Sequence, residues 1–126
     1  MSAIYNRLAQ QQAALQAVPV YGAKVDLDQP PAGDDPEEGI YLDPAIGMLT
    51  EDMRTVVAAT WTAIVIADPM SILETALDAQ DAMMLALDSA TCPIQSLSRA
   101  PIAERSAAAQ VMSVSVLVTF TVDEAQ

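Results

Sequence analysis

The chain has 126 residues, of which 52% are apolar, and its 17 acidic residues outnumber five basic ones to give a net charge of −12. This length predicts one domain over residues 1–126, and the longest uncharged apolar run, residues 55–67, is shorter than the ~20 residues of a bilayer span. The scarcity of Lys and Arg argues against wrapping the phosphate backbone of DNA, although an acidic surface can stand beside DNA without gripping it.

The N-terminal segment predicts an amphipathic helix. It lacks the basic flank and continuous apolar run of a signal peptide, which predicts that the chain folds in the cytoplasm. Ser2 can cap a helix that runs to about Ala17, with Ile4, Leu8 and Leu15 on a narrow apolar stripe. Glutamine and alanine fill the remaining surface of this helix, the glutamines being Gln10, Gln11, Gln12 and Gln16.

The next segment predicts a short strand followed by a long acidic loop. Pro19 ends the helix, and residues 20–27 have the pattern of a strand. Residues 28–52 are rich in proline, glycine and acidic residues, which predicts a loop, and loops this long in compact domains are usually functional or disordered. Within this loop, residues 40–42 could form a short edge strand.

The acidic residues of this region invite a calcium interpretation, because hard cations prefer oxygen ligands. The spacing does not fit a calcium-binding loop, since Gln29, Pro30 and Pro31 stand where a further ligand and a glycine belong. A solvated acidic loop is the favoured interpretation. The acidic residues are Asp26, Asp28, Asp34, Asp35, Glu37 and Glu38.

The middle of the chain predicts a strand and then a helix. Residues 54–67 alternate, with Val57, Ala59, Trp61, Ala63 and Val65 on one face. A helix follows to about residue 89, beginning either at the Asp68-Pro69 pair or at a capping box of Ser71 and Glu74. Its apolar residues fall within an arc of roughly 140°, at about 100° per residue. They are Ile72, Leu73, Ala76, Leu77, Met83, Met84 and Leu87.

The C-terminal region predicts a hairpin. Residues 94–97 can form a strand and residues 99–109 a connector. Residues 111–122 predict a long strand, because every even position is apolar and the odd positions are mostly hydroxyl-bearing. At about 3.3 Å per residue the last strand spans roughly 40 Å, which is longer than the usual strand and suggests a ribbon that reaches towards another subunit. The whole pattern predicts an α+β fold with two helices on one face of a mainly antiparallel sheet.

Catalytic and metal-binding patterns are missing from the sequence. There is no histidine, no glycine-rich phosphate loop and only one cysteine, Cys92, which argues against nucleophilic triads, nucleotide-binding loops and zinc sites. Asp34 and Asp35 could in principle act as a general acid and base, but a proline-broken loop offers no evident pocket. We therefore expect a protein that is not an enzyme and has no cofactor or metal.

Two of the five cations, Arg99 and Arg105, flank the connector before the last strand. They are either ordinary solubilising residues or contacts to an acidic patch on a neighbouring subunit. Together with Asp34, Asp35, Glu37 and Glu38 they are the candidate subunit or partner contacts.

The order of elements resembles the tail terminator (tail-completion) proteins of long-tailed bacteriophages and gene-transfer particles. The matching stretches are the N-terminal helix SAIYNRLAQQQAALQA, the strand RTVVAATWTAIVIA, the helix DPMSILETALDAQDAMMLAL and the closing strand VMSVSVLVTFTV. The resemblance implies an α+β subunit of a hexameric ring in the tail or neck of a virion. Such a ring caps the tail tube, stops its polymerisation, and presents a face to the head–tail connector, while DNA passes nearby without specific binding.

Two other classes of function stay open on the sequence alone. The first is a small acidic binding adaptor, monomeric or dimeric, whose acidic loop meets a basic partner. The second is a catalytic α+β domain, which the missing histidine disfavours. No membrane association is expected in any of these cases, and assembly of a virion protein would take place in the host cytoplasm.

Overall fold

A computed structural model describes residues 3–18, 25–27, 38–43, 45–51, 53–89, 94–100 and 110–123. The fold is α+β, as the sequence predicts. Its elements in chain order are α1 (Ala3–Leu15), β1 (Val25–Asp26), β2 (Gly39–Leu42), β3 (Gly47–Glu51), β4 (Arg54–Ile66), α2 (Ile72–Leu87), β5 (Ser96–Arg99) and β6 (Val111–Asp123).

The sheet is built around β4 and β6, which are 13 residues each and pair antiparallel along their whole length, from Arg54 opposite Asp123 to Ile66 opposite Val111. We call this pair the central ribbon. The strand order is β1-β2-β4-β6-β5, and β3 pairs with the first part of β4 alongside β2. β1 runs parallel to β2, and the remaining pairs are antiparallel.

The predicted alternation of the central ribbon is confirmed. The inner face of the ribbon is buried together with residues of α1 and α2, which cover this face of the sheet. The period of two puts every second side chain on that face, and burial of large apolar side chains there stabilises the fold by roughly 1.5–3 kcal/mol each. The buried inner-face residues are Val57, Ala59, Trp61, Ala63, Val65, Met112, Val114, Val116, Val118, Phe120 and Val122.

The outer face of the ribbon carries threonine and serine side chains interspersed with apolar ones. Opposing Thr62 and Ser115 side chains are 2.8 Å apart and share a hydrogen bond across the strands. Tyr41 pairs with Thr62 and Ile64 lies two residues further along β4, so both are on this side of the sheet, and both are nevertheless buried. The hydroxyl pattern therefore marks the face that the helices do not cover.

The prediction of a loop over residues 28–52 is wrong for residues 39–42 and 47–51, which form β2 and β3. Residues 40–42 do form a strand, but β2 is not an edge strand, because it lies between β1 and β4. Ile40 and Leu42 join the core opposite Ala63 and Trp61. Residues 28–37 lie outside the described part of the chain.

The predicted N-terminal helix is confirmed as α1, but one polar residue predicted to lie on its surface is buried. Gln11 is buried, and its Oε1 accepts a hydrogen bond of 2.8 Å from Nε1 of Trp61. Gln11 lies between Leu8 and Leu15 at helical spacing, so it belongs to the same inward stripe. Gln12, on the neighbouring surface, donates to the carbonyl of Val25 at 2.6 Å and holds β1 against the helix.

α2 begins one residue after Ser71, so the alternative start is correct in position and the Asp68-Pro69 start is wrong. The Ser71 side chain makes no capping hydrogen bond. The backbone N–H of Ser71 donates instead to the carbonyl of Asp68. Of the predicted apolar arc, Leu73 and Leu77 are substantially exposed, whereas Gln80 is buried. The buried face is therefore rotated away from Leu73 and Leu77.

Gln80 lies in the middle of the predicted apolar arc of α2. Its Nε2 donates to the carbonyl of Ser115 on β6 at 2.8 Å and to the carbonyl of Ala100 at 3.3 Å. Burial of an amide is tolerated when its hydrogen bonds are made inside the protein. Every buried side-chain nitrogen and oxygen in the described residues has a hydrogen-bond partner. Gln11 and Gln80 thus link the helices to the sheet through hydrogen bonds.

The two short strands differ from their predicted bounds. β1 comprises Val25 and Asp26 only among the described residues, and residues 20–24 of the predicted strand lie outside them. β5 occupies Ser96–Arg99 rather than residues 94–97, because its pairing with Thr119 to Val116 of β6 sets its position. Arg99 is consequently a strand residue and not part of the connector. No helix in the described ranges has the length and apolar character needed to span a bilayer.

Candidate functional site

The structure describes two of the six candidate contact residues. Arg99 and Glu38 lie in described segments, whereas Asp34, Asp35, Glu37 and Arg105 lie outside them. Arg99 contacts α2 and Glu38 contacts β4, so the two have different neighbours within the chain.

Arg99 ends β5, where it pairs with Val116 of β6. Its guanidinium forms an ion pair with the Asp81 carboxylate on α2 and donates to Gln80 Oε1 at 3.4 Å. Both charged side chains are about half exposed, so the pair contributes only about 0–1 kcal/mol to folding. These contacts explain the position of Arg99 within one subunit, and its contact with a neighbour stays a prediction.

Glu38 stands directly before β2, and its Oε1 accepts a hydrogen bond of 3.1 Å from the backbone N–H of Ile66. The register of Gly39 with Ile64 brings the start of β2 to the end of β4 and so places this carboxylate. A side-chain acceptor at that point satisfies a backbone donor at the end of the central ribbon. Glu38 therefore has a structural partner at this end of the sheet.

The opposite end of the ribbon carries an apolar hairpin that the sequence analysis did not identify. β3 and β4 are joined by the two residues between Glu51 and Arg54. Met48, Leu49 and Met53 are 62%, 63% and 70% exposed. We call these three residues the hairpin patch.

β3 exposes apolar side chains on both of its faces. Met48 pairs with Val57 on the inner side, and Leu49 pairs with Val56 on the outer side. Among the described strands β3 pairs only with β4, so its other edge has no strand beside it. Natural proteins usually protect such edges with charges, prolines or bulges, because an apolar edge strand readily pairs with another chain.

The hairpin turn adds a conformational signal. Met53 has a φ of 64°, in the left-handed region that glycine, asparagine and aspartate favour. A residue with a Cβ costs roughly 1–2 kcal/mol there. The turn therefore carries a large apolar side chain at a position where glycine would be more favourable for the fold of one subunit.

Further exposed apolar side chains lie where β4 ends. Ile66 and Val111 are cross-strand partners and both are partly exposed, and Met70, in the connection that follows, is fully exposed. We call Ile66, Met70 and Val111 the far-end patch. Because β4 runs from Arg54 to Ile66, the two patches lie at opposite ends of the central ribbon, about 40 Å apart.

The described cavities offer no catalytic arrangement. A groove of about 430 Å³ between α1 and α2 is lined mainly by alanine, and a smaller one of about 280 Å³ lies beside Arg7 and Phe120. Among the described residues there is no group of three His, Cys, Asp or Glu side chains that could hold a metal ion. The residues lining the larger groove are Gln10, Ala13, Ala14, Ala17, Ala86 and Ser89.

The chain matches no known protein family, and no curated protein is significantly similar to it.

Proposed function

We propose that this protein is a structural subunit of a hexameric ring that caps a tail tube. The ring would terminate tube polymerisation and join the tail to the head–tail connector. The observation that carries the proposal is the central ribbon, whose 13 paired positions end in two different exposed apolar patches.

A ring of identical subunits needs two different surfaces on each copy. Contacts between unlike surfaces repeat from copy to copy and close when the rotation between neighbours divides a full turn. The hairpin patch and the far-end patch are unlike in residues and in supporting elements. The first lies on β3 and its turn to β4, and the second on the end of β4, the connection to α2 and the start of β6. The presence of two unlike exposed patches on each copy supports the proposed ring.

The charge of the chain suits a channel through which DNA passes. A net charge of −12 produces like-charge repulsion towards phosphates, so DNA would move past a ring of these subunits without adhering. The same charge opposes association of copies at low salt, so attraction between them must come from apolar contact or from local ion pairs. The exposed methionine and leucine side chains supply apolar contact.

Growth of tail tubes in the presence of the protein tests the proposal. Purified tail tube protein from the same particle is polymerised alone, with the wild-type chain, and with the Val116→Asp variant as an unfolded control. We expect electron micrographs to show shorter tubes with a capped end only in the presence of the wild-type chain. Tubes of equal length in all three samples contradict the proposal. If the purified chain instead binds a basic partner as a monomer, the adaptor alternative is supported.

A further inference from the structure

We infer that the smaller of the two cavities is a binding site for a monocarboxylate with an apolar body, such as an aromatic acid. Arg7 would bind the carboxylate, and the apolar part of the lining would receive the ring. This site is separate from the proposed ring, whose function requires no ligand here. The described residues that line the cavity are Arg7, Ile94, Gln95, Phe120 and Thr121.

Arg7 belongs to the face of α1 that is turned towards the sheet. It precedes Gln11 by four residues and Leu15 by eight, and residues at this spacing lie one above the other on a helix. Gln11 and Leu15 are buried on that face, and Arg7 is half-buried one turn closer to the N-terminus of α1. The side chain of Arg7 is therefore directed towards the cavity rather than away from the protein.

The charge of Arg7 has no partner among the described residues. No acceptor in that part of the chain contacts its guanidinium, whereas the guanidinium of Arg99 binds both Asp81 and Gln80. A charge that is partly withdrawn from water is stabilised by a counter-ion, and the chain's 17 acidic residues offer many candidates for one. Since none of the described ones serves Arg7, an anion from outside the chain would fill this role.

A carboxylate suits this cation better than a phosphate does. The planar guanidinium can donate two parallel hydrogen bonds to the two oxygens of a carboxylate. One arginine balances one negative charge, whereas a phosphate monoester carries about −1.5 to −2 at pH 7. The excess would be repelled by a chain whose net charge is already −12. The anion that the site fits is therefore a single carboxylate.

The remaining lining and the volume define the body of the ligand. Phe120, which is buried on the inner face of β6, and Ile94 supply apolar contact, while Gln95 carries an amide that can donate a hydrogen bond to the carboxylate. The cavity has a volume of about 280 Å³. An apolar protein cavity of about 150 Å³ is large enough to bind benzene, so a six-membered ring and a carboxylate fit here together.

Binding of benzoate to the full chain tests the inference, measured by two-dimensional NMR titration and by the change in Tm. Benzamide is an uncharged probe of the same shape, acetate carries the carboxylate without the ring, and inorganic phosphate supplies a different anion. Arg7→Gln removes the charge from the cavity. Arg54→Gln is the matched control, because it removes the same charge from a residue outside the described lining. Circular dichroism verifies that both variants are folded.

We expect saturable binding of benzoate, with chemical shift changes centred on Arg7, Gln95 and Thr121. Its affinity should exceed the affinities of benzamide and acetate by about tenfold or more, because only benzoate has both the charge and the ring. Arg7→Gln should weaken benzoate binding by about tenfold or more. Arg54→Gln should preserve it within about twofold, since a distant exposed charge is screened by salt.

Four results would each overturn the inference. The first is the absence of saturable benzoate binding, and the second is binding that shifts residues away from the cavity. The third is equal affinity for benzoate and benzamide, which decides the role of the charge even if Arg7→Gln fails to fold. The fourth is tighter binding of phosphate than of benzoate. The tube-growth assay tests the proposed ring independently of all four.

Discussion

The inner face of the central ribbon and the neighbouring strand β3 contain the same kinds of apolar side chain, but only those of the ribbon are buried. Trp61 and Val116 are fully buried beneath the helices, whereas Met48 and Leu49 are exposed although they also pair with valines of β4. The difference lies in the second layer, since the helices cover the middle and no described element covers β3. The exposed apolar residues Met48 and Leu49 of β3 therefore contribute little to the stability of one subunit, and they are available for contact with another.

The largest expected effect is a charge placed in the covered middle. Val116→Asp should unfold or aggregate the protein, because an unpaired buried carboxylate costs several kcal/mol. Ser113→Asp is the matched control on the exposed face of the same strand and should change the free energy of unfolding by less than about 1 kcal/mol. Thermal and urea denaturation measure both, and equal Tm values would show that the faces of β6 are assigned wrongly.

The next effect separates β2 from β3, which lie in the same predicted loop. Ile40→Ala should lower the free energy of unfolding by about 2–5 kcal/mol, because it leaves a cavity opposite Ala63. Met48→Ala should change it by about 0.5 kcal/mol or less in the monomer, since the side chain is mostly exposed. Urea denaturation at a concentration where the protein is monomeric compares them, and a large loss for Met48→Ala would place β3 within the core.

A smaller effect is expected at the hydrogen bond between Gln11 and Trp61. Trp61→Phe leaves the buried amide of Gln11 without its donor, and Gln11→Leu leaves the indole N–H without its acceptor, at about 1–3 kcal/mol for each orphaned group. The double variant should be more stable than the sum of the two losses indicates, because both partners are removed together. A double-mutant cycle with purely additive losses would contradict this contact.

The smallest effect on folding is expected for the arginines. Arg99→Glu together with Arg105→Glu should alter the free energy of unfolding by about 1 kcal/mol or less, since the Arg99–Asp81 pair is half exposed. If these cations also attract a neighbour, the change should weaken self-association at low salt and have less effect at high salt, where the Debye length is short. If the double variant sediments like the wild type at low salt, the two arginines are ordinary surface residues without a role in association.

Residue pattern alone was sufficient for the central ribbon and for both helices. β4 and β6 have long, strict alternation, and the signal is strong because one face is buried along its whole length. β3 was missed, and β2 was predicted only as a possible edge strand over residues 40–42, because both strands are short and lie among prolines and glycines. Their strand structure depends on pairing with β4, and a local residue pattern does not contain this tertiary contact.

The buried glutamines show a different reason for error. Gln11 was predicted to lie on the surface of α1, and the predicted apolar arc of α2 omits Gln80, although both residues lie at helical spacing among buried apolar residues. Hydrogen bonds to Trp61 and to the Ser115 carbonyl decided the outcome. Leu73 and Leu77 were predicted to be on the buried face and are exposed. The rotation of α2 about its axis is set by the residues that contact β6 and β4, which the apolar arc alone does not determine. The hairpin patch was not predicted at all, since nothing local reveals that β3 lacks a covering layer.

Hydrogen exchange, measured in monomeric and associated protein, tests the central claim most directly, namely that the middle of the ribbon folds the subunit and its ends join subunits. The account predicts slow exchange for residues 59–65 and 112–118 in both states, with protection of residues 47–51 and Met53 rising on association by about tenfold or more. Unchanged exchange at residues 47–51 in a protein whose mass shows a ring would contradict it.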